Sequence, residues 1–575
     1  MDEPWLAHYD QGVPQSIGTY PDETLASLYA RYARTQPDRA AISFKGRNLT
    51  YADVEREVAA LASGLAKLGV RQGERVAVIL PNCPQYIIAA AAVWRLGGIL
   101  HGVSPIYSPV EMEQALKTME SETVIVLTPF YKTIKQLQGK TSVKRVIATN
   151  IKEYLPSTLR VLFTLFKEKK EGHRIAIDNG DFWLQDLIRN GSTSPITQIA
   201  AKPDDAAAIL MSGGTTGTAK GVLIHHRNLI MCGTQIAAWL HEPLSAPDAS
   251  MLLPLPLFHV YGLGVLSAIL VRGLRIILIP NPRETADLVA TINRERPAIL
   301  CGVPTLFTAL MNHPEVAAGK IDFSSLQACF SGAAPLMAET KKRFESMTGA
   351  RIVEGYSLTE ASMACCINPF RGATKVGSVG MPLPDVKIRV VDPETGLREL
   401  PNGETGEVVL CAPQLMQGYW HNPDETARTI RTMTDGVIGL YTGDLGYLDQ
   451  DGYLFLVDRK KDLIKTSGLQ VWPREVEEAL MMHPGVSEVG VAGLQDERKG
   501  EIVAAWVVPR EGSSLTADEL RLWCRDKLAP YKIPSRIEFR ADLPKTMVGK
   551  VLRRALVAGA KEQQAAPEKQ AAPER

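Results

Sequence analysis

A glycine- and threonine-rich loop that ends in lysine is the part of this sequence whose residue types most clearly predict chemistry. It follows an apolar run at residues 206–210 and reads Ser212, Gly213, Gly214, Thr215, Thr216, Gly217, Thr218, Ala219, Lys220. Glycines let backbone N–H groups turn toward an anion, hydroxyls add neutral donors, and the lysine supplies a positive charge. The loop therefore predicts a cradle for nucleotide phosphates. It is not a Walker A motif, because Lys220 is followed by Gly221 instead of Ser or Thr.

The elements that position this loop are short apolar runs, separated by stretches in which apolar residues recur at the spacing of a helix. The runs rich in β-formers lie at residues 75–80, 123–128, 206–212, 275–280, 299–304 and 351–356. Such alternation is typical of an α/β fold with largely parallel sheets. Between 386 and 458, closer strands and turn signals predict a compact β-rich subdomain. The following stretch to 557 indicates a small α+β domain, and the low-complexity polar tail, 558–575, is predicted to be disordered.

Composition excludes several classes of protein. The 575 residues contain 64 Lys and Arg against 63 Asp and Glu, so no net field attracts nucleic acid. The eight cysteines are dispersed without a C-x-x-C pair, which favours reduced, mostly buried thiols over disulfides or zinc sites. The acidic start lacks the pattern of a signal peptide. These features predict a cytoplasmic protein.

Two apolar segments raise the question of a membrane. Residues 252–271 have the length of a span and no charged side chain, but their prolines, glycines and histidine favour a strand, a loop and a buried helix. Residues 151–174 place Leu159, Phe163 and Phe166 beside a basic cluster at 167–170. This pattern predicts an amphipathic helix on a membrane surface, peripheral at its inner face. The alternative is a helix packed on its own domain with a solvated basic end.

Four further motifs follow the loop in order. They are residues 355–360 (Gly-Tyr-Ser-Leu-Thr-Glu), 441–444 (Tyr-Thr-Gly-Asp), 458–465 (Asp-Arg-Lys-Lys-Asp-Leu-Ile-Lys) and 543–550 (Leu-Pro-Lys-Thr-Met-Val-Gly-Lys). With the loop, they resemble the AMP-forming acyl-CoA synthetase superfamily, which also contains adenylation domains and luciferases. The resemblance spans nearly the whole chain. It implies a large N-terminal domain of mostly parallel α/β sheets, residues 1–458, that binds ATP and the acid, and a small mobile C-terminal domain, residues 459–557.

The resemblance implies ATP, Mg²⁺ and coenzyme A. In that superfamily a carboxylate attacks the α-phosphate of ATP to give an acyl-adenylate and pyrophosphate, and a thiol then displaces AMP. The loop is implied to bind the β- and γ-phosphates, and Glu360 to bind Mg²⁺, because a hard carboxylate oxygen suits a hard cation. Asp444 and Arg459 are implied to hold the ribose. The remaining implied nucleotide contacts are Gly332, Ala333, Ala334, Glu354, Gly355, Tyr356, Ser357 and Thr359.

Four residues match catalytic positions of the superfamily, and a fifth matches its hinge. Lys550 is implied to neutralise the substrate carboxylate and the α-phosphate, two anions that otherwise repel. Lys465 and Gln470 match positions of the thiol step, and Lys461 matches the hinge of the small domain. His259 resembles an aromatic gate between the acid and the thiol. Without the resemblance, a lone histidine in an apolar run favours a satisfied core residue.

The resemblance also implies an acid pocket. The residues implied to line it include Tyr261, Gly262, Gly302, Val303 and Ser331. They are apolar or small and include no cation for a second carboxylate, which favours a hydrophobic monocarboxylic acid. Residues 308–313 and 322–326 are most similar to bacterial long-chain fatty acid–CoA ligases, for which a homodimer is also implied.

Other functions stay open from the sequence. A 4-coumarate-type aryl-acid ligase has almost the same motifs and would be marked by a polar contact for the ring hydroxyl. Transfer to a carrier-protein thiol and luciferase-like oxidation of the adenylate are further alternatives. A non-catalytic nucleotide or lipid sensor would have lost Lys550 or Glu360, and both are present.

Overall fold

The structure, a computed structural model, describes residues 3–191, 201–212, 220–246, 248–496, 498–546 and 549–565. The strands are β1 Ala40–Phe44, β2 Arg47–Thr50, β3 Arg75–Ile79, β4 Ile99–Gly102, β5 Thr123–Leu127, β6 Arg145–Thr149, β7 Phe182–Trp183, β8 Ala206–Ser212, β9 Lys220–His225, β10 Ser250–Leu253, β11 Arg275–Leu278, β12 Ile299–Gly302, β13 Ala328–Ser331, β14 Arg351–Leu358, β15 Met363–Ile367, β16 Met381–Pro382, β17 Lys387–Val391, β18 Gly406–Cys411, β19 Gly418–Tyr419, β20 Ile430–Thr432, β21 Ile438–Leu448, β22 Leu454–Arg459, β23 Ile464–Thr466, β24 Leu469–Val471, β25 Val486–Asp496, β26 Gly500–Pro509 and β27 Arg536–Phe539.

The α-helices alternate with these strands in the first part of the chain. They are α1 Leu25–Thr35, α2 Tyr51–Lys67, α3 Pro84–Arg95, α4 Pro109–Thr118, α5 Tyr131–Gln138, α6 Ser157–Leu162, α7 Leu184–Asn190, α8 His226–Trp239, α9 Val260–Arg272, α10 Thr285–Glu295, α11 Pro304–Asn312, α12 Pro314–Ala317, α13 Ala338–Thr348, α14 Pro423–Thr429, α15 Pro473–Met481, α16 Ala517–Arg525 and α17 Arg553–Ala565.

Two large sheets carry the first part of the chain. One has the strand order β16-β15-β14-β13-β12-β10-β11-β1-β2 and the other β19-β9-β8-β4-β3-β5-β6-β7. The inner pairs of both sheets are parallel, and antiparallel pairs occur where β2, β15, β16, β9 and β19 join at the edges. Strand β5 is buried at every position, as expected for a parallel sheet covered on both faces. The predicted α/β class is confirmed.

The chain divides into two compact units. The first comprises Met1–Ile388, Leu410–Leu440 and Asp451–Tyr453, and the second comprises Arg389–Val409, Tyr441–Gln450 and Leu454–Arg575. The domain boundary expected after residue 458 stays a prediction.

A five-stranded sheet organises the C-terminal part of the second unit. Its order is β24-β23-β26-β25, with β27 parallel to β26. Successive residues of β26 face opposite sides: Val503 and Ala505 belong to one core with α15 and α16, whereas Ala504 and Trp506 belong to another with α17. Helix α17 extends to Ala565, so the tail expected to be disordered from residue 558 begins with an ordered helix; residues 566–575 lie outside the described residues.

The segment considered as a membrane span forms a strand and a helix. Strand β10 ends at Leu253, and α9 begins at Val260 and is buried along most of its length. Gly273 ends this helix with φ of +61°, where a side chain would meet the ring of Tyr32. Among the described residues, no helix is both long and apolar enough to cross a bilayer. All eight cysteines are free and buried, as predicted.

Candidate active site

The two ends of the predicted phosphate loop lie side by side. Ser212 ends β8 and Lys220 begins β9, and the two residues are directly paired in an antiparallel register. The Ser212 hydroxyl lies 3.5 Å from the Lys220 carbonyl oxygen, to which it donates. The predicted loop residues between them, Gly213, Gly214, Thr215, Thr216 and Gly217, lie outside the described residues. The hairpin thus fixes where the loop leaves and re-enters the sheet.

The Lys220 side chain contacts two residues that the sequence did not single out, Tyr419 and Glu425. Its Nζ forms an ion pair with Glu425 and lies 5.2 Å from the ring centroid of Tyr419. The Tyr419 hydroxyl donates a 2.9 Å hydrogen bond to Oε1 of Glu360, the predicted metal ligand. Burial and the nearby Glu360 carboxylate raise the pKa of Tyr419 far above its ordinary value, so it remains a neutral donor.

Strand β19 and helix α14 position Tyr419 and Glu425. Tyr419 pairs with Val222 of β9, and its backbone N–H donates 2.9 Å to the Thr426 hydroxyl. Asn422 caps α14 by accepting from the Glu425 N–H at 3.2 Å, which places Glu425 in the first helical turn. The sequence signal for these residues is the Asn422-Pro423 pair, which is typical of the start of a helix. That signal predicts α14, but it does not predict a contact with Lys220.

An apolar cavity lies in the first unit at the ends of β12, β13 and β14. The space among its lining residues, with the open solvent at its mouth included, is about 450 Å³. The lining residues are Ile236, Leu240, Met251, Tyr261, Val265, Cys301, Phe330, Ser331, Gly332, Gly355, Tyr356, Ser357, Met363, Ala364, Cys366 and Ile367. Ligand pockets of this kind are mostly apolar with a few placed polar groups. The cavity therefore suits a hydrophobic molecule.

Only part of the predicted acid pocket lines this cavity. Tyr261 and Ser331 do so, whereas Gly262, Gly302 and Val303 are not among the lining residues. A Cβ at Gly262 would lie 2.1 Å from the Pro256 carbonyl oxygen, so this glycine permits close packing of the backbone. The Gly302 carbonyl instead accepts a long, 3.5 Å hydrogen bond from the Tyr261 hydroxyl.

Predicted nucleotide contacts meet the acid pocket at the same cavity. Gly332 follows β13, and its N–H donates 3.3 Å to the Gly302 carbonyl, while Ala333 adopts a positive φ of 66°. Ala334 comes next in the chain. The other predicted contacts lie in or just after β14, namely Glu354, Gly355, Tyr356, Ser357 and Thr359. Of these residues, Gly332, Gly355, Tyr356 and Ser357 line the cavity together with two residues of the predicted acid pocket, Tyr261 and Ser331.

His259 caps the helix that carries Tyr261. Its Nδ1 accepts a 3.2 Å hydrogen bond from the Tyr261 N–H at the start of α9. Burial lowers the pKa of His259 to about 4, so the ring is neutral at physiological pH. Asn82, which the sequence did not single out, holds the preceding loop through hydrogen bonds to Leu253, Leu255 and Leu257.

The second unit gathers the predicted ribose and lysine residues. Asp444 and Arg459 are paired across β21 and β22, and the Arg459 Nε lies 2.9 Å from the Asp444 Oδ1. The Lys550 N–H donates 3.1 Å to the Thr546 hydroxyl. Although Lys550 is exposed at its position, desolvation by neighbouring groups, followed by the positive charges of Arg459 and Arg553, lowers the pKa of its amine to about 8.

Arg553 ties this cluster together. Its guanidinium lies within 3.0 Å of carboxylate oxygens of Asp458, Asp462 and Glu477. These contacts join the end of β22, the following turn and α15 to the start of α17. Although burial opposes its charge, these carboxylates raise the pKa of Arg553, so it is a permanent cation three residues from Lys550.

The remaining predicted residues are exposed. Lys465 and Gln470 face each other across the β23–β24 hairpin, whose turn, Ser467 and Gly468, has φ of 51° and 80°. Two positive φ values are typical of a tight type I′ hairpin. Lys461 lies in the turn after β22, where the Asp462 N–H donates 2.9 Å to the Arg459 carbonyl.

Comparison with known proteins decides the family. The family model of the AMP-binding enzyme matches residues 29–420, and that of the AMP-binding enzyme C-terminal domain matches residues 475–550. The chain belongs to the AMP-binding enzyme family. The resemblance found from the five motifs is confirmed, and this AMP-binding enzyme is an AMP-forming acyl-CoA ligase with ATP and CoA as substrates.

Relatives of this AMP-binding enzyme act on different acids. It is 37% identical over 559 residues to the long-chain-fatty-acid–CoA ligase of Bacillus subtilis, covering 96% of this chain and 98% of that protein. It is 34% identical over 549 residues to the probable 4-coumarate–CoA ligase 1 of Dictyostelium discoideum, covering 93% and 95%. A solved anthranilate CoA ligase in complex with anthranoyl-AMP superposes with a TM-score of 0.80 at 26% identity, covering 95% and 98%.

Proposed function

We propose that this acyl-CoA ligase joins a long-chain fatty acid to coenzyme A through an acyl-adenylate. The observation that carries the proposal is the apolar cavity of the first unit. Among the residues that line it, none carries a charge, and most have hydrocarbon or sulfur side chains, such as Leu240, Val265 and Met363. Such a lining favours an aliphatic tail and disfavours a second carboxylate. The identity to the Bacillus subtilis long-chain ligase supports the same choice.

The proposed reaction has two steps. In the first, a carboxylate oxygen attacks the α-phosphorus of ATP, the bond to the bridging oxygen breaks, and pyrophosphate leaves. In the second, the CoA thiol loses its proton to solvent, its sulfur attacks the acyl carbon, and AMP leaves with the electrons of the broken C–O bond. Both steps develop negative charge on a leaving phosphate, so fixed cations and N–H donors are the groups that accelerate them.

The first step is assigned to the cluster around Lys550. Lys550 can neutralise both the acid and the α-phosphate, while Asp444 accepts from the ribose hydroxyls and Arg459 donates to the same sugar. The Asp444–Arg459 pair and the charges acting on Lys550 support this grouping. Arg553 is a positioning residue, because its three carboxylate partners fix the elements on either side of Lys550.

A pH profile tests the charge of Lys550. We expect kcat/KM for adenylate formation to fall as the pH rises through about 8, because the neutral amine cannot offset the two anions. The Lys550→Arg variant keeps the charge and should lose this inflection, even if its rate is lower. Rates of adenylate formation from pH 6 to 10 provide the measurement. The same inflection in both proteins would assign it to another group.

The phosphates are assigned to the loop from Ser212 to Lys220, and Mg²⁺ to Glu360. Among the described residues, no group of three or more His, Cys, Asp or Glu side chains could hold a metal. Mg²⁺ commonly uses one or two carboxylates together with substrate phosphates, so a single Glu360 fits it. When bound, the ion supplies charge neutralisation at the phosphates. Glu360 is the residue that would hold the cation, and the hydrogen bond from Tyr419 to its Oε1 would orient the carboxylate.

Tyr419 is expected to position both charged partners. Tyr419→Phe keeps the ring beneath Lys220 but removes the hydroxyl, so it should raise the Mg²⁺ concentration for half-maximal adenylate formation about tenfold. Tyr419→Leu removes the ring as well and should also raise KM for ATP. Calorimetric titration of a non-hydrolysable ATP analogue, with and without Mg²⁺, measures both effects directly. Tyr447→Phe, whose ring stacks on Phe455 at 5.0 Å, is the control. An unchanged Mg²⁺ dependence of Tyr419→Phe would contradict the role.

The second step is assigned to the β23–β24 hairpin. Lys465 and Gln470 project from facing positions, and Gly468 leaves open space beside its backbone for the pantetheine arm. His259 is proposed as the gate between the acid and the thiol, because it caps the helix that carries Tyr261. Lys461, in an exposed turn, is proposed as the hinge on which the small domain turns between steps.

A variant of the cavity tests where the acid binds. Val265→Phe fills part of the cavity, so we expect the ratio of decanoate to palmitate activity to rise about tenfold or more. Val271→Phe is the matched control, since it lies on the same helix and does not line the cavity. Activity of each variant with both acids, at saturating ATP and CoA, gives the ratio. An unchanged ratio in Val265→Phe would show that the acid binds elsewhere.

The 4-coumarate-type ligase is the second candidate. It is supported by the Dictyostelium discoideum relative and by the aromatic rings of Tyr261 and Tyr356 at the cavity. Transfer to a carrier-protein thiol differs only in the acceptor. Product analysis with CoA as the sole thiol separates that alternative from both CoA ligases.

A further inference from the structure

An exposed apolar helix in the first unit serves no role in the proposed reaction. Helix α6 contributes no buried residue and continues into a π-helical turn, Phe163–Lys167. Five large apolar side chains along this segment are between 41 and 70% exposed, namely Leu159, Val161, Leu162, Leu165 and Phe166. Single exposed apolar side chains are ordinary, but a contiguous group of five marks a contact surface.

The segment is held firmly on the domain. Phe163 is buried and packs edge-on against His173, with ring centroids 5.2 Å apart. Glu168 is also buried, forms an ion pair with Lys152 and accepts a 3.1 Å hydrogen bond from Asn150. These inward contacts fix the orientation of the helix. The outward direction of the five apolar side chains is therefore a property of a fixed element.

Positive charge borders the apolar surface at its C-terminal end. Residues 157–171 contain four basic and two acidic side chains; Glu168 points inward to Lys152, and Glu171 lies 3.6 Å from Lys167. Lys167, Lys169 and Lys170 are exposed immediately after Phe166. An apolar face bordered by lysines complements a surface that is apolar below and anionic above. A bilayer with acidic headgroups has that arrangement.

We propose that this surface, Leu159 to Lys170, docks the enzyme on an anionic lipid bilayer. Leu165 and Phe166 enter the interfacial region, and the three lysines contact acidic headgroups. The helix lies in the plane of the interface and does not cross it, in keeping with its short length. The proposal rests on this surface alone and holds whichever acid the enzyme activates.

Vesicle flotation tests the proposal with the full chain. Wild-type protein should float with vesicles of equal parts phosphatidylcholine and phosphatidylglycerol, and far less with phosphatidylcholine alone. The double variant Leu165→Ser, Phe166→Ser should bind at least about tenfold more weakly. Each charge removed among Lys167, Lys169 and Lys170 should weaken binding roughly fivefold, and added salt should do the same. Val376→Ser, an exposed apolar residue elsewhere in the first unit, is the control and should bind as wild type.

Two further measurements distinguish membrane docking from a folding defect and from dimerisation. Thermal unfolding and ligase activity on a water-soluble acid should be unchanged in the double variant, since neither residue touches the cavity. Equal binding of wild type and double variant to anionic vesicles would overturn the proposal. A second result would also overturn it. If sedimentation without lipid showed a dimer for the wild type and a monomer for the double variant, the surface would be the contact of the homodimer implied by the sequence.

Discussion

Replacing Lys550 with alanine is expected to slow acyl-adenylate formation by roughly 10²-fold or more. The variant loses the cation that offsets the repulsion between the acid and the α-phosphate. This repulsion is strongest when the two anions are held close together for reaction. Thiolysis of supplied palmitoyl-AMP by CoA should remain close to the wild-type rate. Single-turnover formation of pyrophosphate and, separately, release of AMP from the supplied adenylate measure the two steps.

Lys545 offers a matched control for that experiment. It lies five residues before Lys550, and its Nζ forms an ion pair with Glu488 at 2.5 Å. Lys545→Ala therefore removes a lysine from the same loop without touching the proposed cluster, and adenylate formation should change little. If Lys545→Ala slowed it as much as Lys550→Ala, general disturbance of the loop would account for the loss.

Replacing Lys465 with alanine is expected to give the opposite pattern. Thiolysis of supplied palmitoyl-AMP should slow by roughly 10²-fold, because a cation beside the thiol and the leaving phosphate is lost. Adenylate formation should persist. Lys499→Ala is the control. The Lys499 carbonyl accepts a hydrogen bond from the Ser467 N–H in the turn of the same hairpin, but the exposed Lys499 side chain has no proposed role. The same two assays apply.

The pair of variants tests the division of labour as a whole. Lys550 lies beside Asp444 and Arg459, whereas Lys465 projects from a separate hairpin opposite Gln470. Because the two lysines belong to separate elements with different neighbours, we expect two distinct defects. Equal failure of both variants in both assays would contradict the assignment of one lysine to each step.

Much of the fold followed from local sequence patterns. The buried runs at 123–128 and 206–212 became β5 and β8, since such runs suit the fully covered strands of a parallel sheet. The stretch up to residue 557, for which the sequence indicates α+β structure, contains helix α15 and the long strand β26. The ordered start of the tail was not predicted, because α17 depends on Leu556 and Ala560 packing against the far side of β26.

The site was predicted less completely, for reasons of tertiary contact. Tyr419 and Glu360 are 59 positions apart, and only the pairing of β19 with β9 brings the phenol to the carboxylate. Gly262 was expected at the cavity, but its missing side chain makes room for the Pro256 backbone. An apolar and basic segment near Phe166 was recognised from sequence, whereas its outward orientation required the structure.

The most direct test of the account is AMP release from ATP in the presence of Mg²⁺ and CoA, measured across acids from acetate to oleate and with 4-coumarate. The proposal predicts a maximal kcat/KM at about twelve carbons or more, because each added methylene buried in the apolar cavity strengthens binding. A maximum at 4-coumarate, with little activity on palmitate or oleate, would contradict the proposed long-chain specificity.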